Sequence, residues 1–227
     1  GEFNAATSQE RTFYYVKIRN KHFRVALNIL HDMFSHSLFA QAIIEKERKV
    51  VLDEVNMVND NPRHYQWILF YRALFRDHPA KNPVYGNVPV VKKITRLQLL
   101  NYFHTWYIPS QITVVVVGGV KDAIGAVTQQ CEQWQKKDIM IPLIPSMDSN
   151  ATTFKKEKKK LGQSYIVLGY KTVPRHHKDS VVFDIIKGIL ARGQSGWLFD
   201  EIRAKRGLCY NVGLEYDAAK TFGAIGI

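Results

Sequence analysis

The sequence predicts an α+β fold built from two related units. Three observations lead there. Runs rich in β-formers alternate with amphipathic helical runs along most of the chain. That periodicity is lost from Asp138 to Lys160, where proline, serine, asparagine and a lysine block take over. Beyond the break the order of elements starts again: Thr12–Phe34 reads strand, short polar turn, apolar helix, and Gln163–Leu190 repeats it. The expected division is a first domain at 1–140, a linker at 141–160 and a second domain at 161–227.

Taken in order, Gly1–Val16 (GEFNAATSQERTFYYV) reads as strand and turn, with Thr12–Ile18 a strand by alternation and β-former content. His22–Phe34 places Phe23, Ala26, Leu27, Leu30, Met33 and Phe34 at helical spacing. His31 and His36, five apart, are poorly spaced for joint metal ligation and read as surface or helix-end residues. Tyr65–Phe75 (YQWILFYRALF) is a buried aromatic helix closed by His78-Pro79. A loop with Pro83, Gly86 and Pro89 leads to Thr95, a good N-cap for a helix running to Tyr107 and stopped by Pro109. Ile112–Val117 (ITVVVV) reads as a buried strand ended by a Gly118-Gly119 turn, and Asp122–Lys136 as a helix. In the second unit Gln163–Val173 is a strand and Lys178–Leu190 a helix. The Gly193–Gly196 turn follows, then the helix Trp197–Lys205, which Gly207 caps, and the strand Leu208–Asp217.

Composition bounds the function. The chain has 227 residues, 46% apolar and 12% aromatic, enough to fill a core and contrary to a disordered protein. No apolar run approaches a membrane span, and no signal-peptide pattern opens the sequence. Cys131 and Cys209 lie far apart and define no disulfide framework. The formal net charge is +12. It is spread out, and its only dense block, Lys155–Lys160, has no interleaved aromatics. That block reads as a solvated linker, and no nucleic-acid partner is expected.

The stretch with chemistry in it is Ile43–Pro62 (IIEKERKVVLDEVNMVNDNP), a helix that stops at Asn61-Pro62. At about 100° per residue, Ile43, Ile44, Val50, Val51, Val55, Met57 and Val58 fall on one side. Lys46, Arg48, Lys49, Asp53, Asn56 and Asn59 fall on the other. Glu47 and Glu54 are the exception. They sit near the middle of the apolar side, seven residues apart, so their carboxylates stand one above the other. Unpaired carboxylates in an apolar setting cost several kcal/mol. A cation is therefore expected there, either an Arg or Lys from elsewhere in the chain or a metal.

Val50–Pro62, with Glu47 ahead of it, resembles the segment after the zinc helix in the pitrilysin, insulysin and mitochondrial processing peptidase family, the inverted zincins with His-x-x-Glu-His. Gly1–Thr12 is similar to that family's Gly-x-x-Asn-Ala-x-Thr strand. Tyr107–Val120 resembles the strand closing its first domain. Gly193–Tyr210 resembles the glycine-rich turn, helix and Arg…Gly-Leu-x-Tyr segment of its second. The resemblance implies two similar α/β-sandwich domains with antiparallel sheets, of the processing-peptidase type. Both are expected to be truncated here, since each end of the sequence reads as cut within a strand. It implies a zinc metallopeptidase acting on peptides or unfolded protein segments, with a homodimer or a heterodimer with a family member compatible. Glu54 matches the distal glutamate that ligates zinc, and Glu47 a supporting carboxylate behind it. Asn4 and Ala5 match a strand edge offered to the peptide, and Arg203 and Tyr210 match residues reaching the substrate from the second domain. No His-x-x-Glu-His occurs: His22, His31, His36, His64, His78, His104, His176 and His177 are arranged otherwise. Two zinc ligands and the water-activating glutamate are therefore missing. The expectation is a fragment that starts after that motif and is inactive alone; the rival is a non-catalytic structural or substrate-binding subunit.

Overall fold

A two-residue alternation and one tight turn start the chain as a hairpin. The computed structural model describes all residues except 133, 135–138, 145–146 and 148–151. β1 (Glu2–Thr7) pairs antiparallel with β2 (Thr12–Lys17), in register from Glu2 opposite Lys17 to Thr7 opposite Thr12. Packing divides the chain into two compact units: Gly1–Asp53 with Val88–Pro142, and Glu54–Asn87 with Leu143–Ile227.

The first unit holds the hairpin, α1 (Phe23–Ser35), the opening turns of α2 (Gln41–Asp60), α4 (Val88–Lys93), α5 (Arg96–Trp106) and α6 (Ala123–Cys131). Its centre is a relay of aromatic rings. Tyr14 of β2 meets Phe34 of α1 edge-on at 5.2 Å, Phe34 meets Tyr107 at 5.8 Å, and Tyr107 stacks on Phe103 at 4.7 Å. The Tyr14 and Tyr107 hydroxyls share a hydrogen bond at 3.2 Å. Each ring therefore adds a directional contact to its area of burial. Thr95 caps α5 as expected. Its hydroxyl accepts from the Gln98 amide while the Gln98 side chain accepts from Thr95 N–H, a full capping box.

The second unit holds the end of α2, α3 (Pro62–Leu74), β3 (Gly169–Thr172), α7 (Ser180–Leu190), β4 (Glu215–Ala218) and β5 (Gly223–Gly226). The sheet order is β3-β5-β4, every pairing antiparallel. Asn61 caps α3 by accepting from the Arg63 amide, with Pro62 at its first position. α3 lays Trp67, Phe70, Tyr71 and Leu74 against Phe75, Ala80, Phe222 and Ala224. The strands make room with glycine. A Cβ on Gly226 would sit 2.7 Å from the Trp67 ring, and one on Gly169 2.8 Å from Phe70. The aromatic helix was legible as core, and its partner is this glycine-bearing sheet.

The α+β class with antiparallel sheets is as the sequence predicts, and four details differ. Val88–Lys93 is a short helix and not loop, with Pro89 in its first turn, where a missing N–H costs nothing. Ile112–Val117 makes no ladder among the described residues, and Val115 and Val117 are 76% and 91% exposed, so apolar content alone did not make it a buried strand. The helix after Gly196 is a π-helical segment, Phe199–Ala204, in which Lys205 N–H donates to Asp200 O at 2.9 Å. The strands expected at Gln163–Val173 and Leu208–Asp217 are ladder-bonded over Gly169–Thr172 and Glu215–Ala218, plus a reciprocal Leu168–Ile227 pair.

Phe75 is 1% exposed at the centre of the second unit, whereas Thr95 acts only through its cap. Phe75→Ala is expected to cost about 3–5 kcal/mol, and Thr95→Ala about 1 kcal/mol. Urea titration followed by tryptophan fluorescence and circular dichroism checks both; comparable losses would contradict this placement of the core.

Candidate functional site

α2 has two faces that the sequence did not assign correctly. Ile44 and Val55 are buried, and Arg48 and Val51 lie half-buried between them. Arg48 is the residue the helical reading placed on the polar side. Its side chain is 14% exposed and its guanidinium donates to the carbonyls of Val91 and of Ile94, the latter at 2.8 Å, and to the Glu45 carboxylate at 3.1 Å. The guanidinium holds the Glu45 carboxyl below the usual carboxylate range, chiefly through that hydrogen bond.

The opposite stripe is Ile43, Glu47, Val50, Glu54 and Met57. All five are exposed; Ile43 is 57% and Met57 71% accessible. Glu47 and Glu54 do share one face with apolar neighbours, two turns apart. That face meets solvent in this chain, so the desolvation cost that called for a cation is absent. The inward cation of α2 is Arg48. The signal for it was the spacing of Ile44, Arg48, Val51 and Val55, which is equally helical.

Asn4 and Ala5 lie in β1, opposite Tyr15 and Tyr14. The whole strand is exposed. β1 pairs on one side only, with β2, so its other edge carries no ladder among the described residues. Asn4 turns its side chain back to accept from the Ala5 amide at 2.8 Å. Nearby, Glu2 accepts from the Tyr15 hydroxyl at 2.7 Å, which pushes that phenol up.

Arg203 and Tyr210 are brought together. The Arg203 guanidinium lies 4.8 Å from the Tyr210 ring centroid and 4.8 Å from that of Phe199. A planar cation held by two aromatic rings keeps its N–H edge free for a carboxylate or a peptide carbonyl. Gly207, at φ +59°, closes the segment in the left-handed region, donating to Arg203 O while Leu208 N–H donates to Ile202 O. Phe199 was missed from the sequence; its i, i+4 relation to Arg203 was the available signal.

The zinc reading was tested on the donors present. Among the described residues no group of three or more His, Cys, Asp or Glu side chains could hold a metal ion. Glu54 is a single donor, and the described residues do not make a zinc site by themselves.

The fold is α+β with antiparallel sheets; Glu47 lies in the first compact unit, and Glu54 and the Arg203 turn in the second. Residues 1–88 match the family model described as insulinase, peptidase family M16, and residues 93–227 that described as the peptidase M16 inactive domain. The chain belongs to peptidase family M16. It is 30% identical over 217 residues to the "Uncharacterized zinc protease YmxG" of Bacillus subtilis, a match covering 93% of this chain and 52% of that protein. The chain thus spans about half the length of the curated relatives it matches. A protease from Helicobacter pylori has the same fold, with TM-score 0.83 and 22% identity over 99% of this chain and 56% of that one. So does a chain of Complex III2 from Candida albicans, with TM-score 0.78 and 14% identity over 99% of this chain and 56% of that one. No helix among the described residues is long and apolar enough to cross a membrane.

A lone exposed carboxylate binds zinc weakly. Competition of the 227-residue chain against a chelator is expected to give a zinc affinity weaker than about 1 μM, unchanged by Glu54→Gln. Tighter stoichiometric binding abolished by that substitution would mean that histidines of this chain join Glu54.

Proposed function

We propose that this chain works as part of a zinc-dependent metalloendopeptidase that hydrolyses peptides or protein segments held in a chamber between two homologous domains. The observation that carries the reading is the outward stripe of α2: Glu47 and Glu54 stand two turns apart on the face of a helix whose other face is already committed to packing. In this reading 1–140 and 161–227 belong to successive domains. The zinc donors besides Glu54, and the water-activating glutamate, come from a His-x-x-Glu-His outside residues 1–227. The part played by this chain is then to supply one carboxylate donor, a second carboxylate behind it, and a surface that holds the substrate.

Membership of a peptidase family supports the reading, as does the pairing of Arg203 with Tyr210, whose free N–H edge suits a peptide carbonyl or carboxylate. The exposed edge of β1 at Asn4 and Ala5 suits an extended peptide added as a further strand. A second reading, a non-catalytic structural or substrate-binding subunit, is favoured by the family description "inactive domain" for residues 93–227 and by the likeness to a Complex III2 chain. The sequence preceding Gly1 separates them: the first needs His-x-x-Glu-His there.

In the intact protein, Glu54→Gln is expected to leave a folded, zinc-free and inactive enzyme, while Glu47→Gln keeps part of its zinc with activity lowered about 10–100-fold. Metal content and thermal midpoint, measured side by side, check this; equal metal retention by both variants would remove Glu54 from the ligand set.

Arg203→Ala and Tyr210→Phe are expected to lower peptide turnover with zinc content unchanged. Loss of metal from folded Tyr210→Phe would contradict a substrate role.

A further inference from the structure

A run of five lysines and one glutamate ordinarily floats in solvent. Here the run at 155–160 is fastened along α3. Thr153 Oγ1 donates to Ala73 O at 2.9 Å, the Tyr65 hydroxyl donates to Glu157 Oε2 at 2.8 Å, and Lys159 Nζ donates to Asn59 O at 2.9 Å. The Lys159 ammonium also rests 3.5 Å from the centroid of the Tyr65 ring. Burial, and then the Glu157 carboxylate, push the Tyr65 phenol up, so it stays protonated and remains a donor.

The anchors fix the conformation. Tyr65 and Ala73 are eight residues apart on α3, about 12 Å of helix axis. Glu157 and Thr153 are four apart, and only an extended chain, at about 3.3 Å per residue, covers that distance. In an extended chain side chains alternate. Thr153, Glu157 and Lys159 meet the helix region. By that alternation Phe154, Lys156, Lys158 and Lys160 take the other side; every residue from 152 to 160 is exposed, Phe154 at 86%. Glu157 is the only acid between 151 and 160, and Tyr65 already engages it. An extended chain spaces Lys156, Lys158 and Lys160 about 6.6 Å apart as a ridge along one side, with Phe154 ahead of them.

We propose that this ridge is a docking surface for an extended acidic polypeptide segment, with carboxylates at alternate positions and an apolar residue placed to meet Phe154. The two-residue repeat of an extended peptide matches the spacing of Lys156, Lys158 and Lys160. That the polyanion is a polypeptide rests on the peptidase reading. One observation on the ridge agrees: single-stranded nucleic acids need successive rings for base stacking, and the ridge offers only Phe154, since Lys159 covers the Tyr65 ring.

The test is fluorescence anisotropy with the full chain, in chelator and about 0.1 M salt, using three labelled probes of equal length: an alternating Glu-Ser peptide, its Gln-Ser counterpart and an oligothymidylate. Expected is binding of the Glu-Ser peptide with little of the other two. Lys156→Gln/Lys158→Gln/Lys160→Gln should weaken it about tenfold, and Lys46→Gln/Lys92→Gln/Lys121→Gln, an equal change of charge elsewhere, less than about twofold. Tyr65→Phe, which frees Glu157, should weaken it by an intermediate factor. Circular dichroism melts establish that each variant is folded. Equal losses in the two triple variants would reduce the effect to net charge, and tighter binding of the oligothymidylate, or no binding of the Glu-Ser peptide, would overturn the proposal. Because the binding assay reads no turnover, lack of peptidase activity in the intact protein would sink the peptidase reading and leave this inference standing, whereas lack of binding here would sink this inference alone.

Discussion

The rotation of α2 about its own axis decides what this chain offers to others, and Arg48 sets that rotation. Its guanidinium satisfies the carbonyls of Val91 and Ile94 at the end of α4, two acceptors that the short helix leaves without amide partners. Both carbonyls are part-buried, so losing their donor would cost part of the desolvation energy of each. With Arg48 turned inward beside Ile44 and Val55, the stripe containing Glu47 and Glu54 has only one place to go. Outward display of the two carboxylates is thus a consequence of packing on the far side of the helix.

Much of the fold was written in the sequence at short range. The Thr95–Gln98 capping box, the Asn61-Pro62 junction between α2 and α3, and the aromatic run of α3 each specify their own local structure. What was not legible needed a partner. Ile112–Val117 is as β-prone as any stretch of the chain, yet a strand exists only as a ladder, and propensity does not supply the second strand. The glycines of β3 and β5 fall within segments already read as strand, and their purpose becomes clear only once Trp67 and Phe70 are laid across Gly226 and Gly169.

The candidate site divides the same way. Arg203 and Tyr210 were identified by resemblance, and the structure adds that they touch and that Phe199 completes the arrangement. The α2 carboxylates were singled out on a helical wheel whose apolar arc was too broad. Isoleucines and valines stand on both sides of α2, and hydropathy alone could not tell the packed stripe from the displayed one. A long arginine at the edge of an apolar arc is readily misassigned, because its stem packs as a hydrocarbon while its head seeks carbonyls.

The π-helical turn at Phe199–Ala204 has a consequence for how this segment tolerates change in length. A wider turn accommodates one residue more than an α-helix would over the same path. Excising a single residue there would let the segment relax into ordinary α geometry. The chain downstream would keep its path, because the extra residue is what the wider turn absorbs. Within the turn, an excision between Phe199 and Arg203 would shorten their i, i+4 relation to i, i+3 and shift the guanidinium relative to the Phe199 ring, while Gly207 would still close the segment. Substitutions on the exposed side of the turn are cheap by comparison. A chain one residue shorter between Gly196 and Gly207 should therefore keep the fold and differ only in how the Arg203 guanidinium is held.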